Sequence, residues 1–393
     1  MLLGVDFLKV QNTRRIAEKL MEVMQLKEAS SMVNTIITNS IVANSIIPPD
    51  PEALRKEAEL IQKEMPDYSV DRIMMLLMVE SMIGPYLEQQ PEVMDFFMNW
   101  IAAESRVFDV SEFNENPYIK NIDFANQSNG DYELRYHDNM PYELDIYNVP
   151  KRIEELYVDI PRVSCFPEEF KYPVIFQKSI NSTWMSVSPN EVFTMEKAIK
   201  NAKGKVLTLG CGMGYFAYMA SIKEDVDSVT IIELEQSVID LFETCLLSQF
   251  ENKNKITVIK ADAVEYLKNM EDGDFDYCFA DIWIGIEDII PYFAVKEIGR
   301  KLRKTKIDYW IEDSFAILLS SYVWIEIIKS FSKSNNIPIP PIDDSMLTDL
   351  DKRKTAYIQS LLGKVEITKP EHIDYYMRPQ NIISLIDRTD IIF

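Results

Sequence analysis

The stretch Val206–Tyr218, VLTLGCGMGYFAY, decides how this chain is read. An apolar run, Val206–Leu209, enters three glycines at alternate positions (Gly210, Gly212 and Gly214), and a helix-prone segment follows. A second apolar run, Val229–Glu233, ends on an acid. A strand, a glycine turn, a helix and a strand closed by a carboxylate point to a nucleoside-cofactor site at the mouth of a parallel sheet. The glycine spacing selects the cofactor. A dinucleotide fingerprint, G-x-G-x-x-G, needs a small residue where this chain has Tyr215, and that bulk argues against a pyrophosphate resting on the helix start. The G-x-G-x-G form lets the backbone pass close to a nucleoside and an amino-acid tail instead.

Downstream the pattern is regular. Strands are expected at Lys205–Leu209, Val229–Glu233, Ile256–Ala261, Phe275–Ala280 and Lys306–Ile311. Helices are expected near Tyr215–Ser221, Gln236–Leu247, Ala263–Asn269 and Ile289–Arg303. This alternation predicts an α/β, doubly wound Rossmann-like domain with its ligand at the carboxyl ends of the strands. Gly210, Glu233, Asp262 and Asp281 fall there. Glu233 is placed to accept hydrogen bonds from both ribose hydroxyls, each worth about 1.5–3 kcal/mol to a charged acceptor. Asp262 suits an exocyclic adenine amine, the backbone N–H of Ala263 suits a ring nitrogen, and Asp281 points toward the reacting end. Any one of these carboxylates is equally a helix cap. Three in order after the glycine loop favour a ligand.

Four regions are expected: a helical N-terminal domain (1–130), a β-rich connecting segment (131–190), the Rossmann-like domain (191–335) and a helical C-terminal tail (336–393). Asp50 before Pro51 reads as a helix start, with Leu54, Ala58 and Ile61 on one face. Pro91 starts another helix, with Val93, Phe96, Phe97, Trp100 and Ile101 facing a core. The Met-rich run Ile73–Met82 reads as packed helical core, or as a flexible substrate groove. Tyr172–Gln177 and Ser182–Ser188 are expected to pair across the turn 178–181, and Pro189-Asn190-Glu191 to open a helix. The proline cluster Ile337–Pro341 marks a linker, and Thr368-Lys369-Pro370-Glu371 fits a capping box.

The formal net charge of −22 repels phosphate backbones, so nucleic acid is disfavoured as a primary partner. The run Arg300–Lys304 is the one basic candidate and reads best as the cationic last turn of a helix. Cys165, Cys211, Cys245 and Cys278 show no metal spacing, and His137 and His372 are far apart. That argues against a zinc site and a disulfide framework, and suits a cytoplasmic protein. The start MLLGVDFLKV lacks a basic n-region, no apolar run reaches transmembrane length, and Ile36–Ile47 reads as buried or interfacial.

With these motifs in hand, the chain resembles the class I S-adenosylmethionine-dependent methyltransferases, with the flavour of their spermidine synthase-like branch. VLTLGCGMGYF, IIELEQSVIDL, IKADAVEYL and FDYCFADIW look like that family's successive motifs, and Trp184–Met195 is similar in outline to the segment ahead of its glycine loop. The likeness covers about 184–315 and leaves out the helical third and the tail. It implies that Gly210, Cys211, Gly212 and Gly214 line the methionine and ribose portions of S-adenosylmethionine. Glu233 and Leu234 would hold the ribose, Asp262 with Ala263 the adenine. Asp281 takes the place of the aspartate with which aminopropyltransferases deprotonate an attacking amine.

Two departures separate this chain from aminopropyltransferases. Met213 stands where they carry an aspartate inside the loop, and Asp281 is followed by Ile282, Trp283 and Ile284 without a second aspartate. Methyl transfer to a small-molecule or peptide acceptor therefore ranks above aminopropyl transfer, with a non-catalytic binding protein on the same fold as a third reading. Asp281 is either a general base or an organiser of its loop. Trp283 and Tyr215 either wall a cationic sulfonium or pack in the core. Glu312 and Asp313 stay unassigned, and Cys211 has no neighbour marking it as a nucleophile. Such in-line methyl transfer needs orientation and desolvation and no metal. Whether the helical third caps the site or forms a homodimer stays open.

Overall fold

The computed structural model describes residues 8–125, 127–154, 157–335, 348–363 and 365–387; the cluster 337–341 read as a linker lies outside them. Its centre is a five-stranded sheet. The chain runs β1 (Gly204–Leu209), α1 (Tyr215–Ser221), β2 (Val226–Glu233), α2 (Gln236–Leu241), β3 (Ile256–Lys260), α3 (Ala263–Asn269), β4 (Tyr277–Ala280), α4 (Ile289–Gly299), β5 (Lys306–Tyr309) and α5 (Glu312–Ser334). All pairings are parallel, in the order β3-β2-β1-β4-β5. Leu209 pairs with both Ile232 and Ala280, so β1, β2 and β4 end level and their following loops rise from one edge. The order in which strands are added reverses between β1 and β4, where a crevice opens at the carboxyl ends. The strands are apolar on both faces because helices cover both: Val206, Leu207, Leu209, Val229, Ile231 and Ile232 are all buried.

Four expectations are corrected. α2 does not run on regularly to Leu247 but passes into a π-helical turn, Phe242–Leu246. α4 stops at Gly299, so Arg300–Lys304 lies beyond the helix rather than in its last turn. A Cβ at Gly299 would sit 2.4 Å from the Tyr309 hydroxyl, and this close approach to β5 is where the chain leaves the helix. Thr368 is not a cap: the helix Pro370–Met377 has Lys369 at that place, and the Thr368 N–H donates to His372 Nδ1. Thr368 follows the strand Val365–Ile367 directly, one residue too early. Finally, α5 is long and apolar enough by composition to cross a membrane. Its Phe315, Leu319, Val323 and Ile327 recur every four residues and are buried in the protein core.

Upstream, helices Arg14–Ala43, Pro51–Gln62, Val70–Leu87 and Pro91–Glu104 pack around Met74, Met75, Val79, Phe97 and Ile101. The helix Pro51–Gln62 starts as its sequence dictates, with Asp50 Oδ1 accepting the Ala53 N–H at 3.0 Å. The helix Arg14–Ala43 spans two cores: Ile16, Leu20 and Val23 join the cluster that includes Leu207 and Leu209, whereas Val33 and Ile37 join the helical cluster. The strand Leu8–Val10 pairs in parallel with Val365–Ile367, tying the two ends of the described chain together.

Between these regions lies a four-stranded sheet in the order 182–186, 170–177, 132–139, 127–129. Its hairpin turns through Asn181, in the left-handed region at φ 49°. The hairpin leads into the helix Pro189–Asn201. There Ser188 and Glu191 form a full capping box, which fixes both the start of the helix and the Glu191 carboxylate.

Candidate active site

A cavity of about 620 Å³ opens at the carboxyl ends of the strands. Each strand end contributes in turn, and neighbouring strands are about 4.8 Å apart, so the cavity is a trough read from β3 to β5. Asp262 and Ala263 follow β3, Glu233 closes β2, Gly210–Met213 follow β1, Asp281 follows β4 and Trp310 follows β5; all line it. The hairpin and the helix Pro189–Asn201 supply the opposite wall through Trp184, Met185, Glu191 and Met195.

The glycines do different work. Gly210 sits at φ 95°, and a Cβ there would meet the Asp281 carbonyl oxygen at 2.1 Å, so its lack of a side chain lets β1 and β4 converge. At Gly214, φ 75°, a Cβ would lie 2.3 Å from Phe242 Cε2 in the π-helical turn. Gly212 has only Met185 Sδ nearby, at 3.8 Å, and faces the cavity. Tyr215 lines the cavity but is held from behind: its hydroxyl accepts from Asn116 Nδ2 at 3.0 Å and its ring meets Tyr118 edge-on. Trp283 is likewise engaged edge-on with Tyr292 and Phe315.

Glu233 is fixed by two backbone donors. Cys211 N–H reaches Oε2 at 3.0 Å and Glu235 N–H reaches Oε1 at 2.9 Å, so each oxygen retains lone-pair capacity toward the cavity. Leu234 is exposed at the rim. Asp262 caps α3 through Oδ1, which accepts the Glu265 N–H at 2.8 Å, and it also lines the cavity. Ala263 stands at the first position of α3, where its N–H has no intrahelical acceptor. Burial, with Glu233 and Glu243 nearby, pushes the Cys211 thiol well up, so it stays protonated. Glu312 accepts from Lys296 Nζ at 2.7 Å and from the Tyr292 hydroxyl at 2.9 Å; neither it nor Asp313 is among the residues lining the cavity.

Asp281 is half-buried, and what it exposes faces the trough. Burial, and then the nearby Glu191, raise its carboxyl to about 8. Glu191 itself is raised to about 7 by burial, against hydrogen bonds from Ser188 and Ser186 that favour the charged form. In the sequence Glu191 belongs to a helix opening and to the segment Trp184–Met195 that resembles the one ahead of the family's glycine loop, with no role of its own. The S-P-N-E pattern was the available signal, but it reports the cap and says nothing of the carboxylate's view into the cavity. Trp184, Met185 and Met195 fall in the segment that resembles the one ahead of the family's glycine loop, but neither they nor Trp310 carry an individual signal, since apolar residues at such positions read as core.

Strand order, glycine loop and acids at the ends of β2 and β3 together decide the architecture. This is a doubly wound, Rossmann-like α/β fold. No family model and no curated protein matches the chain. Solved structures similar to part of the chain include spermidine synthase from Thermotoga maritima, at 13% identity and TM-score 0.28, covering 41% of this chain and 60% of that one. Precorrin-6y C5,15-methyltransferase from Geobacter metallireducens GS-15 is similar at 19% identity and TM-score 0.23, covering 31% and 63%. An arsenic (III) S-adenosylmethionine methyltransferase from Chlamydomonas reinhardtii is similar at 21% identity and TM-score 0.22, covering 27% and 37%. The chain thus spans less than two thirds of the length of each.

Proposed function

We propose that this protein transfers a methyl group from S-adenosylmethionine to a small-molecule or peptide acceptor. One observation carries the reading: five carboxylates (Glu191, Glu233, Glu235, Asp262 and Asp281) line the cavity, and among the described residues no Lys, Arg or His does. Such a lining repels a pyrophosphate and favours a cationic ligand. The geometry fits the nucleoside end as well. Glu233 would accept from the ribose hydroxyls, Asp262 and the Ala263 N–H would meet the adenine, and the loop Gly210–Gly214 would run beside the methionine portion. S-adenosylmethionine, when bound, supplies an electrophilic methyl on a sulfonium. The chain's own residues orient the acceptor, exclude water and receive its proton at Asp281.

The same lining favours a second reading. A cavity with no Lys, Arg or His among its described lining residues offers a methionine carboxylate no cationic partner, which suits the decarboxylated cofactor of aminopropyl transfer. Isothermal titration with S-adenosylmethionine, its decarboxylated form and S-adenosylhomocysteine tests both. Binding of the carboxylated forms is the expected result, a preference for the decarboxylated form reverses the ranking, and no binding by a folded sample removes both readings.

A further inference from the structure

We infer that Tyr118, outside the Rossmann-like domain, is a positioning residue for the donor: it holds the backbone turn that offers N–H groups to the amino-acid tail of the cofactor. The inference rests on the reading that S-adenosylmethionine is the donor, and it gives the N-terminal third a share in that site.

Among the described residues no Lys, Arg or His lines the cavity, so a tail carboxylate relies on uncharged donors. The Gly214 N–H donates to the Cys211 carbonyl at 2.8 Å, which closes a turn over Gly212 and Met213. A bond from the fourth residue of a turn back to the first leaves the N–H groups of the two central residues free. Here neither finds an acceptor among the described residues, and Gly212 and Met213 both line the cavity. φ is positive at Gly210, Gly212 and Gly214 but not at Cys211 or Met213 between them. Such alternation turns neighbouring N–H groups to one side and makes a concavity for an anion.

Tyr118 fixes that turn from behind. The peptide unit between Met213 and Gly214 is held at both edges, its N–H by the Cys211 carbonyl and its carbonyl by the Tyr118 hydroxyl. Tyr118 and Met213 are both buried, so water does not replace the hydroxyl. Gly214, at φ 75°, has no side chain to restrict rotation of that peptide, and the hydroxyl supplies the restraint.

Tyr118 is itself set in place. It belongs to the short helix Pro117–Asn121. Asn116 Oδ1 accepts the Tyr118 N–H at 3.0 Å, and Asn116 Nδ2 donates to the Tyr215 hydroxyl at 3.0 Å. The Tyr118 ring stands edge-on to Tyr215 and Tyr218, with centroids 5.3 and 5.4 Å apart. Asn121 Nδ2 donates to the Tyr218 hydroxyl at 2.9 Å. The segment 116–121 therefore bonds the loop and α1 at three points. Two of them, Met213 and Tyr215, line the cavity, and Tyr218 is not among its lining residues. That difference separates a role in binding from support of the fold.

The test is isothermal titration of the full chain with S-adenosylhomocysteine and with 5′-deoxy-5′-methylthioadenosine, which share the nucleoside thioether and differ by the amino-acid tail. The ratio of their affinities reads the tail alone. Wild type is expected to favour S-adenosylhomocysteine by about tenfold or more. Tyr118→Phe keeps the ring and removes the hydroxyl. It should weaken S-adenosylhomocysteine about fivefold or more and leave methylthioadenosine within about twofold. Asn121→Ala is the control: it removes a hydrogen bond from the same segment, and should lower the melting temperature while leaving the ratio unchanged. If Tyr118→Phe does not fold, Asn116→Ala, which loosens the helix start and keeps the hydroxyl, should lower the ratio about threefold. Tyr118→Phe binding both probes as wild type does, or losing both equally, overturns the inference, as does Asn121→Ala lowering the ratio as far; in the substitute variant an unchanged ratio does so. Equal binding of the two probes by wild type removes the inference alone, and failure of both to bind folded wild type removes the reading beneath it.

Discussion

Replacing Asp281 with asparagine should make the protein more stable at alkaline pH while abolishing transfer. The folded Asp281 carboxyl lies at about 8 against an ordinary 3.8, because burial and Glu191 oppose its charge. The folded state therefore holds a proton that the unfolded chain has already released, and stability falls as pH rises from about 4 to about 8. A shift of about four units at about 1.4 kcal/mol each sets a ceiling of about 6 kcal/mol. Water in the cavity screens part of this, and the repulsion with Glu191 belongs to the pair and counts once, which leaves roughly 2–4 kcal/mol. Asparagine has no charge to bury. With an unfolding entropy of about 2.1 cal/mol/K per residue across 393 residues, Asp281→Asn should raise the melting temperature by about 2–5 °C at pH 8. At pH 4, where the carboxyl is still largely protonated in the folded protein and about half protonated in the unfolded chain, the two should agree to within about 1 °C. Thermal unfolding at both values measures it. A variant that is destabilised at pH 8, or equal to wild type at both, would refute the claim that this carboxyl is buried without compensation.

Three further outcomes are expected. Gly210→Ala, with its new Cβ 2.1 Å from a backbone oxygen that cannot rotate away, should cost at least about 2 kcal/mol in urea unfolding; a loss under about 0.5 would mean that the loop relaxes freely. Glu233→Gln gives up the charge and one acceptor, so S-adenosylhomocysteine affinity by calorimetry should drop about tenfold or more, and unchanged affinity would remove Glu233 from the ribose site. Lys354 is wholly buried with its ammonium 2.6 Å from the exposed Glu287 on the loop after β4. Glu287→Ala strands that charge and should cost about 3 kcal/mol, whereas Lys354→Met should be close to neutral; equal losses in urea titration would contradict this.

Local chemistry explains why the central fold was legible. Val206–Leu209, Gly210 and Gly214 sit within a few residues of one another, and strand, turn and helix each carry their signal in adjacent positions. The elements Tyr215–Ser221 and Ala263–Asn269 begin and end in the structure where the pattern places them. Boundaries failed where a distant residue decided them. α4 ends at Gly299, where the Tyr309 hydroxyl of β5 approaches the backbone, and the strand pairing of Val365–Ile367 with Leu8–Val10 runs up to Thr368. Composition along α5 could not show which of its apolar residues are covered by protein.

The sequence by itself determined the succession of strands and helices along the chain and the place of the glycine loop and of Glu233, Asp262 and Asp281 among them. Periodicity and turn chemistry act over short spans and leave a readable trace. Only the tertiary structure decided the reacting end. Glu191 belongs to a helix cap by its neighbours in sequence, and it comes to face Asp281 because the hairpin 170–186 leads into a helix whose first turn lines the same cavity. Burial and like-charge repulsion raise both carboxyls, and both effects depend on through-space distance and lost solvent, which no spacing along the chain encodes.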